Sequence, residues 1–424
     1  MKRLGSWAWN LLGSYQLAIL LLLLTFVLTF LGTFAQQWMG LYESQKNYFE
    51  SWIAWHPIER FGLAFEAPMP GGMAVMGLLS VNLVVGGLIR IRKSWRTAGI
   101  LVSHVGIALL MLSGLVSHVS KTEGFVALLP GEEAHEFRSH YEYEVVIRRV
   151  GDGASDRELL IPPADLDVLE VGLDGRPAPL NWFSSIGPWF DTGVFGRRER
   201  QTFTSEDLPF QLELAHFVSN GRLMTAGPQS AAPLPVIDGI TVMPVAKDLT
   251  AERNQPAVYA EATDASGAVL GRTILTPLTL RPWAFEVEGE VYAVHLRAER
   301  TAMPFVLRLD EFFMDERPRT DMPATYRSDV TVLRDDGREQ RVRIEMNEPL
   351  REDGFVAYQA SYGQKMTPSG PQYFSQFATV INPSDQWPKY ACYVIGFGLV
   401  WAFGARLSTF LAKRARARRE ALES

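Results

Sequence analysis

The chain has 424 residues, 47% of them hydrophobic, and a formal net charge of −6, so it has room for two or three domains. A mean hydropathy of +0.01 fits neither a wholly soluble protein nor one wholly embedded in a membrane. The single cysteine, Cys392, excludes an internal disulfide, a CxxC redox pair and a cysteine-based zinc site.

The first quarter of the chain predicts two membrane spans. Residues 1–16 are a short basic N-terminus, and 17–35 form a first apolar run that is too long for the core of a cleaved signal peptide. Residues 36–71 are rich in Trp and Tyr, which favour the headgroup level of a membrane, so we expect a loop lying on the outer surface, with a short helix near 43–55. Residues 72–89 are the second span.

Two further spans follow, separated by the largest segment of the chain. A basic loop at 90–97 precedes the third span, 98–118; the fourth span covers 389–412 and ends in a basic tail, 413–424. Positive residues mark the cytoplasmic side. The N-terminus, the 90–97 loop and the tail agree in sign, which predicts four spans with both chain ends in the cytoplasm.

Residues 119–388 are then extracytoplasmic, and their composition predicts a β-rich domain. Short runs of Val, Phe, Tyr and Thr alternate with polar residues, and turn signals such as Asp264-Ala-Ser-Gly267 and Asp335-Asp-Gly337 separate them. The clearest strands are predicted at 143–150, 210–217, 257–263, 268–275 and 328–334. The expected fold is an integral membrane protein with four transmembrane α-helices and a large β-rich extracytoplasmic domain, a sandwich or barrel of one or two lobes, inserted between helices 3 and 4.

The charge of this outer segment is strongly negative. It holds 26 Lys and Arg against 41 Asp and Glu. Such a surface argues against nucleic-acid binding and would attract a basic polypeptide; the alternative is that the acidic surplus only keeps the domain soluble.

The third predicted span contains an ionisable side chain, His104, within an apolar helix. Hydrocarbon offers no hydrogen-bond partner, so such a residue is a candidate functional site. A neutral imidazole is a common ligand of metals and of haem iron. His104 is therefore a candidate ligand; the alternative is a hydrogen bond between its imidazole and a neighbouring helix.

A second candidate ligand is His118, at the outer end of the same span. At helical spacing one face carries His104, Ala108, Met111, Leu115 and His118. The two histidines lie about 21 Å apart along the helix axis. His118 is either a second ligand or an ordinary interfacial residue.

No enzyme motif occurs in the chain: it has no Walker loop, no GxGxxG after a strand, no HExxH and no GxSxG elbow. His216 and His295 lie on alternating strand patterns typical of structural residues. An aromatic cluster at 182–190 fits core packing, a lipid contact or a partner contact.

Several stretches together resemble the ResB family of System II cytochrome c biogenesis proteins. They are LGTFAQQ at 31–37, GLYESQKNYFESW at 40–52, PGG at 70–72, NL at 82–83, GILVSHVGIALLMLSG at 99–114, SDVTVL at 328–333 and NEPLREDGFVAYQASYG at 347–363. The resemblance covers the chain except for about 150–280. The histidine of the family's third span matches His104, whereas His118 matches no family role.

The resemblance implies a function in haem delivery. The chain would be one subunit of a membrane complex, in the bacterial cytoplasmic (inner) membrane, that moves haem b outward and attaches it to CxxCH apocytochromes c. The implied partner is a ResC/CcsA-type membrane protein that carries the tryptophan-rich haem-handling motif, with thioredoxin-like proteins supplying reduced thiols. His104 would be an axial ligand of the haem iron. The chain would not be catalytic alone, although it would form part of a cytochrome c haem lyase.

Two other interpretations remain open at the level of sequence. The chain could be a scaffold that stabilises the partner without touching haem, or a membrane-anchored β-domain that binds an unrelated ligand. Haem that copurifies with the complex and is lost when His104 is changed separates haem delivery from both.

Overall fold

The computed structural model describes residues 2–60, 63–151, 158–176, 198–227, 233–279, 281–316, 323–352, 354–368 and 370–423. The chain divides into two compact units. A helical unit comprises Met1–Ala35, Glu43–Thr122 and Ile381–Ser424, and a β unit comprises Gln36–Tyr42 and Glu123–Val380. The predicted aromatic cluster at 182–190 lies outside the described residues.

The helices are, in chain order, α1 (Lys2–Leu12), α2 (Tyr15–Ser44), α3 (Gly72–Asn82), α4 (Trp95–Ser120), α5 (Pro163–Asp167) and α6 (Trp387–Glu423). Two π-helical segments extend helices, Gln45–Phe49 after α2 and Leu83–Ile89 after α3, and Ala251–Arg253 is a 3₁₀ turn. Among the described residues, four helical stretches are long and apolar enough to cross a membrane: Tyr15–Phe49, Gly72–Ile89, Trp95–Ser120 and Trp387–Ala421.

The helix ends differ from the predicted spans. The last helix continues through the basic tail, because Arg, Ala and Glu are good helix formers and neither Gly nor Pro interrupts them. Helix α2, which contains the first predicted span, extends well past residue 35 and is kinked at Gly40. Gly40 has φ +78°, a conformation that favours glycine, and a Cβ there would lie 2.2 Å from the carbonyl oxygen of Leu249.

The segment predicted as a surface loop, 36–71, instead forms mostly helix and β-strand. The expected helix near 43–55 is limited to the end of α2 and the π-helical turn Gln45–Phe49. A β-hairpin follows, in which strands β1 (Ile53–Arg60) and β2 (Leu63–Pro70) pair antiparallel. Alternation in these short strands was missed because aromatic residues occupy both faces. The hairpin leads directly into α3 through Gly71 and Gly72, which lie against the Ser51 and Phe49 backbone.

Helices α4 and α6 pack closely and antiparallel. A Cβ added at Gly99 would lie 2.5 Å from the Ala402 nitrogen, and one added at Gly106 would lie 2.9 Å from the Ile395 nitrogen. Small residues at such spacings allow helix backbones to approach in a membrane. Toward the other end, the Ser384 hydroxyl donates a hydrogen bond of 2.9 Å to the Ser113 carbonyl.

The described residues of the β unit form sixteen strands. They are β3 (Thr122–Leu128), β4 (Glu133–Val150), β5 (Glu158–Ile161), β6 (Arg200–Phe203), β7 (Phe210–Val218), β8 (Gly221–Thr225), β9 (Ile240–Pro244), β10 (Ala257–Asp264), β11 (Val269–Leu275), β12 (Trp283–Val287), β13 (Glu290–Glu316), β14 (Pro323–Leu333), β15 (Glu339–Glu345), β16 (Leu350–Glu352), β17 (Phe355–Thr367) and β18 (Gly370–Ile381). These strands include all five stretches that alternation predicts.

The strands form a large sheet and a smaller one. The order of the large sheet is β15-β14-β13-β4-β3-β18-β17-β16, with β12 added on β13 and β5 on β4; the smaller sheet is β11-β10-β7-β6, and β8 pairs with β9. The 27-residue strand β13 pairs with both β4 and β14. Both predicted turns have a left-handed glycine, with φ +84° at Gly267 and +81° at Gly337.

One hydrophobic core joins the two sheets. It combines side chains of the large sheet with side chains of the smaller sheet: Val145, Ile147, Val294 and Leu296 from the former, and Phe210, Leu212, Leu214, Val258 and Ala260 from the latter. Because apolar residues of two sheets face one another, this part of the unit is a β-sandwich. The prediction of a β-rich domain is confirmed.

Close packing of α4 on α6 predicts a sharp difference between two glycines of α6. A Cβ at Gly398 would lie 2.5 Å from the Ser103 nitrogen, whereas one at Gly404 would meet nothing within 4 Å. We expect Gly398→Ala to destabilise the protein by about 1–3 kcal/mol, as overpacking does, and Gly404→Ala to change little. Thermal unfolding of the purified protein in detergent measures both; equal melting temperatures for the two variants would contradict this packing.

Candidate functional site

The candidate site is centred on the half-buried side chain of His104, in the first half of α4. His104 lies nine positions after Trp95, where α4 begins. This spacing corresponds to about 14 Å along the helix axis. The hydrocarbon core of a bilayer is about 30 Å thick. The imidazole of a spanning α4 would therefore lie well inside the apolar layer rather than at its surface.

The neighbouring helices determine which way His104 points. The α4 face that carries Gly99, Ser103 and Gly106 is occupied by α6. Ser103 donates a hydrogen bond of 3.3 Å to the Ile395 carbonyl, within that contact. His104 follows Ser103 by about 100° around the helix and faces the π-helical segment after α3. Two turns farther toward the C-terminal end of α4, the Ser80 hydroxyl lies 3.8 Å from the Met111 sulfur.

The imidazole has one hydrogen-bond partner in this position, the backbone carbonyl of Gly87. The distance between Nδ1 of His104 and the Gly87 oxygen is 3.0 Å. A carbonyl can only accept a hydrogen bond, so Nδ1 must carry the proton and donate it. In a neutral ring the lone pair is then on Nε2, the nitrogen that is free to bind a metal.

This arrangement fits His104 as a ligand of haem iron. Metal-binding histidines characteristically donate their second ring N–H to a carbonyl or a carboxylate, which fixes the tautomer and orients the ring. Among the described residues no group of three or more His, Cys, Asp or Glu side chains could hold a metal ion. An iron already held by a porphyrin needs only axial ligands, and an imidazole with a free Nε2 can supply one.

His118 does not join His104. It is exposed, near the end of α4. Because α4 is one continuous helix, the two histidines remain about 21 Å apart along it, and they cannot bind the same iron. His118 is thus not part of the His104 site, and its role as a second ligand stays a prediction.

Sequence reasoning did not assign Asn82, Gly86 or Gly87 to the site, although small residues such as Gly86 and Gly87 in a span are available for close helix contacts. The Asn82 amide donates to the carbonyls of Leu12, at 2.7 Å, and Ser14, at 3.1 Å. These bonds join the start of the π-helical segment to the link between α1 and α2. Gly87 supplies the carbonyl for His104, and Gly86 lies against Gly13. A polar Asn and paired glycines inside an apolar run were the available signals.

A second histidine of the helical unit also has a defined partner. The Tyr48 hydroxyl lies 2.5 Å from Nδ1 of His56. Tyr48 is fully buried, and His56 lies on β1. This bond ties the end of α2 to the β1–β2 hairpin.

A comparison with known protein families finds a match within the β unit. The model of the ResB-like family matches residues 287–380. This part of the chain is therefore similar to the ResB-like family. It begins just before β13 and ends in β18, and it includes the SDVTVL and NEPLREDGFVAYQASYG stretches. The ResB-like family is associated with cytochrome c biogenesis, in which its members work with membrane partners. No curated protein matches the chain.

Three histidines of the β unit occupy strained or half-buried positions. His216 lies at a bulge of β7 with φ +51°, rather than at an ordinary alternating position. His295 on β13 has a buried Nδ1 with no hydrogen-bond partner among the described residues. His140 on β4 stacks on Phe125, with ring centroids 4.6 Å apart. Burial lowers the pKa of His140, His216 and His295.

These lowered pKa values predict that acid destabilises the β unit. A histidine in the unfolded chain titrates near about pH 6.5. Below that pH the unfolded state binds more protons than the folded state does, so the free energy of unfolding falls as the pH falls. We expect the wild-type protein to melt at a lower temperature at about pH 5.5 than at about pH 7.5. His295→Gln should reduce this dependence, because Arg297 and Arg148 also disfavour charge on His295.

The exposed His135 provides the matched control. Thermal unfolding followed by the β-sheet signal in circular dichroism measures the effect in the full-length protein. The account is contradicted if His295→Gln and His135→Gln leave the same pH dependence.

Proposed function

We propose that this protein is the ResB-type subunit of a membrane complex that transports haem across the bacterial cytoplasmic membrane and delivers it for covalent attachment to apocytochromes c. The observation that carries the proposal is the hydrogen bond of 3.0 Å between Nδ1 of His104 and the Gly87 carbonyl. It leaves Nε2 as a ligand atom inside an apolar helix. The association of the ResB-like family with cytochrome c biogenesis supports haem as the transported molecule.

In this proposal His104 supplies one axial ligand to haem b. A neutral imidazole costs less to bury than a charged group, so it can wait in the apolar layer without a counter-ion. The small and apolar residues of α3 and α4 around His104 would exclude water from a bound iron. One imidazole on each side of the porphyrin plane would hold the cargo reversibly, since neither bond is covalent to the porphyrin.

The second axial ligand would come from another chain. His118 lies too far along α4, and the described residues hold no metal-binding cluster around His104. A ResC/CcsA-type integral membrane protein is the proposed partner, and it would contribute a histidine at the same depth. The haem site would thus form at an interface, and the present chain would be only part of a cytochrome c haem lyase.

The β unit would act by binding rather than by chemistry. Residues 119–388 include 41 acidic and 26 basic residues. The resulting negative charge would attract a basic polypeptide such as an apocytochrome c to the outer side. Covalent attachment would use histidines of the partner and the thiols of the CxxCH substrate, which thioredoxin-like proteins would keep reduced. The lone thiol of the chain, Cys392, is exposed on α6 and has no proposed part in this step.

The proposed topology has four spans, both chain ends in the cytoplasm and the β unit on the periplasmic or outer side. Reporter fusions after residue 94 and at the C-terminus should therefore indicate cytoplasm, whereas fusions near 200 and 300 should indicate the outer compartment. The basic residues of 90–97 and 413–419 are the physical reason. An outer-side signal from the C-terminal fusion would exclude this topology.

Removal of the imidazole tests the ligand assignment. We expect His104→Ala to abolish or sharply reduce the haem that copurifies with the complex and to block cytochrome c maturation. The protein should still insert, since alanine is well tolerated in a helix. The absorption spectrum of the purified complex, normalised to protein, is the measurement. His118→Ala, a change of the same side chain in the same helix, is the matched control and should keep the spectrum.

A purely structural role for His104 predicts a different result. Loss of a hydrogen bond between helices in a membrane costs on average about 0.6 kcal/mol, too little to empty a haem site. A wild-type haem spectrum in His104→Ala at equal abundance would contradict the ligand assignment and favour a scaffold that stabilises the partner without binding haem.

A further inference from the structure

The carbonyl that accepts the His104 hydrogen bond belongs to a distorted helix end. After α3 the backbone changes to π-helical geometry over Leu83–Ile89, and the Arg90 N–H bonds to the Val85 carbonyl at 3.0 Å. Single π-helical turns inside helices occur frequently at functional sites. Gly87 lies in the last turn, where carbonyls lack partners further along the helix. Its oxygen is therefore available to a side chain, and His104 takes it.

Position 87 also leaves room for the imidazole ring. A Cβ added there would lie 2.9 Å from Nδ1 and 3.2 Å from Cγ of His104. The contact with Nδ1 is shorter than real Cβ atoms show and the contact with Cγ is tight, so any side chain at 87 would push the ring away from the carbonyl. At Gly77, in α3 of the same span, an added Cβ would meet nothing within 4 Å. Glycine at 87 therefore leaves space for the His104 ring and for the Leu83 side chain, and the shortest of these contacts is with Nδ1 of His104.

We infer that Gly87 is a positioning residue for His104: its carbonyl holds the proton on Nδ1 and so aims the Nε2 lone pair at the iron and strengthens it as a ligand. This inference rests on the proposed haem function. Donation from Nδ1–H to an acceptor makes the imidazole a better electron donor, which favours ferric over ferrous iron. The bond would therefore contribute both to retention of haem and to a low reduction potential.

Replacement of the side chain by free imidazoles tests the hydrogen bond itself. His104→Gly removes the ring and leaves space for an added ligand. Imidazole and 4-methylimidazole both keep an N–H when their other nitrogen binds iron. 1-Methylimidazole can bind iron equally well but then has no N–H to offer the Gly87 carbonyl. The purified complex of the variant with its partner is titrated with each, and haem binding is read from the absorption spectrum.

We expect imidazole and 4-methylimidazole to restore haem binding at similar concentrations. 1-Methylimidazole should need a concentration about 3- to 10-fold higher, the factor that corresponds to one hydrogen bond in a membrane protein. Because 4-methylimidazole has the size of 1-methylimidazole, bulk alone does not explain such a difference. Equal half-maximal concentrations for all three would overturn the role of Gly87 while leaving His104 as a ligand. Full haem retention by His104→Gly without any addition would overturn both.

A second variant tests the same inference with the native histidine in place. Gly87→Ala should raise the haem reduction potential or lower haem occupancy, whereas Gly77→Ala should match the wild type in both. The reduction potential is a readout that a packing defect elsewhere in the helix would not move. A wild-type potential and a wild-type occupancy in Gly87→Ala would overturn the inference.

Discussion

The structure around the candidate site depends on one constraint: a polar group inside an apolar helix bundle must find a partner. His104 meets it through the Gly87 carbonyl, 3.0 Å away, and this carbonyl is available because the helix after α3 ends in π-helical geometry. The two needs are complementary, since an unpaired backbone carbonyl in lipid is as costly as an unpaired imidazole. Only Nε2 is then left unsatisfied, and it is the atom that a metal would use.

The remaining helices hold His104 in this orientation. Glycines and serines bring α4 against α6 so closely that a single added methyl group at Gly398 would meet the Ser103 backbone. Asn82 joins the π-helical segment to the link between α1 and α2. His104 thus lies on rigid elements, which is what a ligand of defined geometry requires. The β unit has its own sandwich core, formed by side chains of the two sheets.

Local pattern predicted much of this architecture, and contacts between distant residues explain what it missed. Long apolar runs identified the four helices, and period-2 alternation identified strands such as β7 and β10, because these signals are properties of one segment. The backbone at the Gly40 kink packs against the backbone of Leu249, which is distant in the sequence. The partner of His104 is separated from it by 17 residues and a turn. The bulge at His216 depends similarly on its pairing with a distant strand, β10.

The central claim is that Nε2 of His104 binds haem iron while Nδ1 remains bonded to Gly87. A cryo-electron microscopy map of the complex with its membrane partner, purified with haem, tests it most directly. The account predicts iron at bonding distance from Nε2, about 2.0 Å for a histidine nitrogen, with the ring still facing the Gly87 carbonyl. Haem held by other residues, with His104 bonded to Gly87 alone, would contradict it.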